Sequence, residues 1–90
     1  MQNSDALNKY TLDLINKNIK EVNEKKIAAF VHLDRMEEKL SFIRSEDYSD
    51  EEISRAETDW KQAVQSYNDL CDEETACLTD RDLFLKETAE

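Results

Sequence analysis

The residues that could do chemistry are few and far apart. His32 is the single histidine, at a predicted helix-surface position beside Ser66, so no Ser-His-Asp set can be built around it. Cys71 and Cys77 are the only thiols. One histidine and two cysteines leave a zinc site short of ligands. The stretch from Asp69 to Asp80 alternates acids with other residues. It lacks the central glycine and the final glutamate of a calcium loop. Paired carboxylates are abundant, but on long helices such pairs form a solvated face. The expectation is therefore a non-enzyme with no catalytic residue, no cofactor and no metal.

The elements that carry these residues follow from what the chain lacks. Glycine and proline are both absent from all 90 residues. That excludes Gly-rich phosphate loops, dinucleotide fingerprints and type I′ hairpin turns. A chain with no helix breaker reads as nearly all helix. On one such helix Cys71 and Cys77 are separated by about 9 Å of rise and point to different sides. They cannot bridge each other, and reduced packing thiols are expected.

Ser4 can cap a first helix, with Asp5 at its positive end. From Leu12 the apolar residues follow a heptad, with Leu12, Ile19, Lys26, Leu33 and Leu40 at a. Asn8, Ile15, Val22, Ala29, Met36 and Ile43 take d. Around residue 45 the pattern stops at Ser-Glu-Asp-Tyr-Ser-Asp. Ser49 followed by Glu52 is a capping box ahead of Ile53. The same serine also fits an acidic-directed phosphorylation site, but capping alone accounts for the residue types. In the second helix Ile53, Trp60, Tyr67, Glu74 and Arg81 take a, and Ala56, Ala63, Leu70, Cys77 and Phe84 take d. The expected plan is one domain over residues 1–90: helix one at about 5–44, a loop at about 45–49 and helix two at about 50–88. Two long helices of similar length with a short link imply an all-α antiparallel two-helix hairpin, coiled-coil-like.

In an antiparallel pair the residue numbers of facing positions have a constant sum. Here Ile43 with Ile53, Leu40 with Ala56, Met36 with Trp60 and on to Leu12 with Phe84 all sum to 96. Small residues often face large ones, as interdigitation requires. On the flanks Lys39 can approach Asp59 and Lys25 can approach Glu73. Lys26 and Glu74, one turn apart across the seam, can pair. The layers beyond Lys26 are mixed, so the loop end is expected to be the more stable half.

The chain holds more apolar residues than a two-helix seam uses. On helix two the e positions include Val64, Cys71, Leu78 and Leu85, and Phe30 holds the matching e position on helix one, beside Val64. Leu14, Ile27, Val31 and Phe42 are outer apolar residues as well. A stripe over three of seven positions belongs to a bundle. The hairpin is therefore expected to assemble, by a two-fold axis, into a four-helix-bundle homodimer, or to dock a foreign helix. Phe30, Val64, Cys71, Leu78, Phe84 and Leu85 form the expected protein-binding line.

Charge is uneven. Residues 1–45 carry 8 Lys/Arg against 7 Asp/Glu, and residues 46–90 carry 4 against 15. With a net charge of −10, direct binding to nucleic acid or an anionic membrane is disfavoured. No apolar run approaches the ~18 residues that span a bilayer. No signal-peptide pattern is visible at the start, so a cytoplasmic location is expected. The plan is similar to small helical-hairpin dimers and to secretion co-chaperones, and no motif specifies either. Trp60 lies within helix two with no glycine after it, which excludes the Trp-x-Gly turn of secreted helical hairpins.

Three functions fit this reading. The first is a protein-binding module (an adaptor, small chaperone or inhibitor) that uses the apolar stripe. The second is an acidic nucleic-acid mimic that covers the basic surface of a DNA- or RNA-binding protein through Glu52, Asp59, Glu73, Asp80 and Glu87. The third is a structural oligomeric subunit.

Overall fold

The computed structural model describes residues 2–89 and, from Asp5, the burial of their side chains. Two helices make up the described chain: α1 spans Gln2–Ser45 and α2 spans Asp50–Thr88. They pack along their whole length as an antiparallel hairpin 70 × 15 × 14 Å in extent. The radius of gyration is 20.2 Å. A compact chain of this length would have about 12 Å, so the molecule is a rod.

α1 begins before the expected start. Its backbone is helical from Gln2, so Ser4 does not occupy the extended flanking position that a cap requires; its side chain lies outside the described residues. With neither glycine nor proline in the first turns, local sterics do not oppose the extension. At its other end Arg44 sits in the last turn, where a cation suits the helix dipole. Ser45 Oγ donates to the Phe42 carbonyl at 2.8 Å.

The turn, residues 46–49, is closed by side chains. Ser49 is the N-cap of α2, with φ −69° and ψ 156°. Its Oγ accepts from the Glu52 backbone N–H at 3.2 Å, and its own N–H donates to Glu52 Oε2 at 3.3 Å. This reciprocal box satisfies two backbone donors at the start of the helix. Asp50, Glu51 and Glu52 place carboxylates in the first turn, the favourable end of the dipole for negative charge. Phe42 and Tyr48 close the turn from outside, ring centroids 6.2 Å apart and edge-on. No described residue has positive φ, so the reversal is made without left-handed backbone.

Burial follows the heptads. Every a and d position from Asn8 to Ile43 and from Ile53 to Phe84 is buried or half-buried. Of the other residues from Asp5 to Ala89, only Thr11, Glu57, Val64, Cys71 and Leu78 are not exposed. The core cluster is Leu40, Ile43 and Ala56, with Ile53 and Trp60 packed against it. That is the loop end, where the expected facing pairs Leu40–Ala56 and Ile43–Ile53 meet. Val22, at 4% exposed, extends burial past Lys26 into the half where mixed layers were expected.

Candidate functional site

α1 and α2 together present two long sides, one carrying the e positions of both helices and the other the g positions. The e side begins at the loop with polar clasps. Arg44 Nη2 donates to Glu57 Oε1 at 3.1 Å, and Trp60 Nε1–H donates to Glu37 Oε1 at 3.4 Å. Glu37 and Glu57 are the one pair of acids that the e register sets across from each other. Each has a separate donor.

Beyond the clasps this side turns apolar. Phe30 packs on Tyr67, ring centroids 5.9 Å apart at 56°. Phe30 was expected beside Val64, and its ring meets the a residue of α2 one turn further on, Tyr67. A long helical side chain leans toward the preceding turn, so its contact is displaced from the position its Cα suggests. Phe30, Tyr67, Ile27, Asn23 and Lys26 line an open groove of about 200 Å³. Phe30 is 56% exposed and Ile27 58%. Both rings and the Ile27 side chain therefore have apolar surface with no partner within the chain.

The rest of the expected binding line divides in two. Val64, Cys71, Leu78 and Phe84 are half-buried, whereas Leu85 is exposed. The hairpin itself covers part of the e line. Cys71 and Cys77 are free thiols. Ile27 is the element the binding line left out. Its signal was present in the sequence, as an isoleucine on an outer position one turn from Phe30.

Across the seam Lys26 Nζ donates to Glu74 Oε1 at 3.1 Å, with the two side chains 27% and 21% exposed. The hydrogen bond to Glu74 first, and the negative charge of Glu74 second, hold the Lys26 ammonium above its ordinary value of 10.5. A charged pair at two a positions is thus satisfied where the seam would otherwise bury a lone ion.

The g side is different. Glu52, Asp59, Glu73, Asp80 and Glu87 are all exposed, but Glu52 is engaged in the cap. His32, Met36, Lys39, Asp59 and Ser66 share an open groove. The flank pairs Lys39–Asp59 and Lys25–Glu73 do not form ion pairs. Among the described residues the ion pairs are Lys26–Glu74, Arg44–Glu57 and Arg55–Glu51. Exposed lysines gain too little from such contacts to be fixed by them.

Among the described residues no group of three or more His, Cys, Asp or Glu is placed to hold a metal ion. No described helix is long and apolar enough to cross a membrane. The arrangement offers a long mixed face with an aromatic centre. No family model, curated protein or solved structure matches the chain.

Proposed function

We propose that the chain is a non-enzymatic protein-binding module, an adaptor, small chaperone or inhibitor, that docks through the e side of its hairpin. One observation carries this reading. The exposed surface is 7099 Å², against about 5,500 Å² for a compact monomer of this mass. The excess, about 1,600 Å², is about twice the ~800 Å² that each partner of a standard protein–protein interface buries. It is spread over a rod whose e side has aromatic and aliphatic residues at its centre and polar clasps at its loop end. An apolar core with a polar rim is the ordinary anatomy of such a surface.

The acidic-mimic reading is weaker on charge density. Five carboxylates from Glu52 to Glu87 cover about 52 Å of helix, roughly one charge per 10 Å. A DNA strand presents one per about 3.4 Å. Lys25 and Lys39 on the facing helix dilute the edge further.

The test compares binding of the wild-type chain with that of Phe30→Asp and Leu85→Asp, at 50 and 200 mM salt. Both residues are exposed, so both variants are expected to keep their helicity by circular dichroism. Leu78 is a poorer probe, because it is half-buried in the hairpin. Docking through the e side predicts that both variants lose binding and that salt has little effect. Unchanged binding by both variants would remove the e side from consideration, and a tenfold or greater loss between the two salts would move the assignment to the acidic edge.

A further inference from the structure

We infer that the g side, in the half of the rod away from the turn, is a docking surface for a basic amphipathic helix of another protein. This surface is separate from the e side, so its failure would leave the reading above untouched.

The first argument is what the surface exposes. Positions g and c together make up the g side. Away from the turn they carry three leucines that the hairpin leaves uncovered: Leu7, Leu14 and Leu83, 63%, 46% and 52% exposed. Leu14 and Leu83 stand at the same height on the two helices, within one residue of the facing sum of 96. Leu7 lies one heptad from Leu14, about 10 Å along α1. The g positions of α1 at this level, Thr11 and Asn18, are uncharged. Single exposed leucines are ordinary on a surface. Three on one short face, drawn from both helices, form a patch that another apolar surface can cover.

The second argument is where the charge falls. Over residues 5–25 and 71–88 the g side holds one cation, Lys25, against four anions, Glu21, Glu73, Asp80 and Glu87, a balance of −3. The e side, positions e and b, holds two cations against two anions over the same residues. Over residues 26–44 and 52–70 the g side holds three against three, and the e side two against three. The quarter of the rod with the three leucines is thus the one with the excess of negative charge. Its four carboxylates are exposed, and none of them forms an ion pair among the described residues. A cationic partner meets them unengaged, whereas the same quarter of a second copy is repelled.

The third argument is shape. Two helices side by side leave a groove in which a third can pack. From Leu7 to Lys25 the surface runs about 27 Å, the length of a helix of about 18 residues. Apolar residues spaced i, i+3, i+4 and i+7 on that helix cover the leucines. Lysines or arginines flanking them reach Glu21 on one edge and Glu73, Asp80 and Glu87 on the other.

The test is an NMR titration of the isotope-labelled full chain with a Leu–Lys peptide of about 18 residues, patterned as an amphipathic helix. A Leu–Glu peptide of the same pattern is the control. The Leu–Lys peptide is expected to shift the amides around Leu7, Leu14 and Leu83, and the Leu–Glu peptide to leave them in place. Leu83→Ser is expected to weaken binding about tenfold, and Leu85→Ser, on the e side, no more than about twofold. Both leucines are exposed, so both variants should keep their helicity. Glu73→Gln with Asp80→Asn is expected to flatten the fall of affinity between 50 and 200 mM salt. Absence of binding, or shifts centred on Phe30 and Tyr67, overturns the inference. So does binding that Leu83→Ser leaves unchanged, which would be attraction by charge alone, and so does equal binding of the Leu–Glu peptide. Light scattering covers the remaining occupant: a wild-type dimer that Leu83→Ser returns to the 10.6 kDa chain mass would put a second copy on this surface and overturn the basic helix.

Discussion

Leu40→Ala is the substitution whose cost the structure fixes best. Leu40 is 5% exposed and packs with Ile43 and Ala56. Alanine removes three carbons, worth about 2.4 kcal/mol at roughly 0.8 kcal/mol each. A cavity term would add to this in a closed core. Here the seam is two helices thick, so neighbours and solvent can move into the gap. The expected loss is about 2.5 kcal/mol, at the low end for buried leucines. A chain of this length has a total stability on the order of 5–13 kcal/mol, and a thin rod belongs in the lower part of that range. The melting temperature should therefore fall by about 10–20 °C. The assay is urea and thermal unfolding followed by circular dichroism at one fixed chain concentration, since association would shift both midpoints. Leu14→Ala is the control: Leu14 is 46% exposed and should cost no more than about 0.5 kcal/mol. If Leu40→Ala cost as little as Leu14→Ala, the heptad seam would not be the core, and the facing pairs would be wrong.

Two further outcomes are expected. Ser49→Ala removes the acceptor for the Glu52 N–H and should lower stability by about 1 kcal/mol, with loss of helical amide protection at residues 50–53 seen by hydrogen exchange. For pH, the Lys26 ammonium is held above 10.5 in the folded chain. The stabilisation it gives is complete below that unfolded value and is lost as pH rises through the higher folded value. Urea midpoints between pH 9 and 12 should fall less steeply for Lys26→Met than for the wild type; parallel curves would remove the pair from the stability of the seam.

The hairpin, its turn and its heptads were legible because each rests on local signals that agree. No breaker interrupts the helices, Ser49 and Glu52 stand at capping spacing, and apolar residues repeat at positions a and d. Lys26–Glu74 was legible as well, since two opposite charges at seam positions must find each other or remain uncompensated. The exposed flank was less readable. Lys39 and Asp59 sit at matching g positions, yet a surface pair adds so little energy that proximity in the register does not fix a contact. The position of Phe30 depends on how a ring leans, which the heptad letter does not encode. How much of the e line the hairpin covers for itself depends on the tilt between two helices, a three-dimensional quantity that a one-dimensional repeat leaves open.

The reversal at residues 46–49 contains no glycine or proline and no left-handed backbone. Its stereochemistry does not forbid a straight path, because every residue in it can also adopt helical angles. What creases the chain is a serine–glutamate clasp, a phenylalanine–tyrosine contact and the adhesion of the two arms. Substitutions at this elbow therefore act on connectivity in space before they act on helix content. Loosening it would turn a folded pin into an open strut, whose arms keep the same interlocking sides for any matching arm they meet.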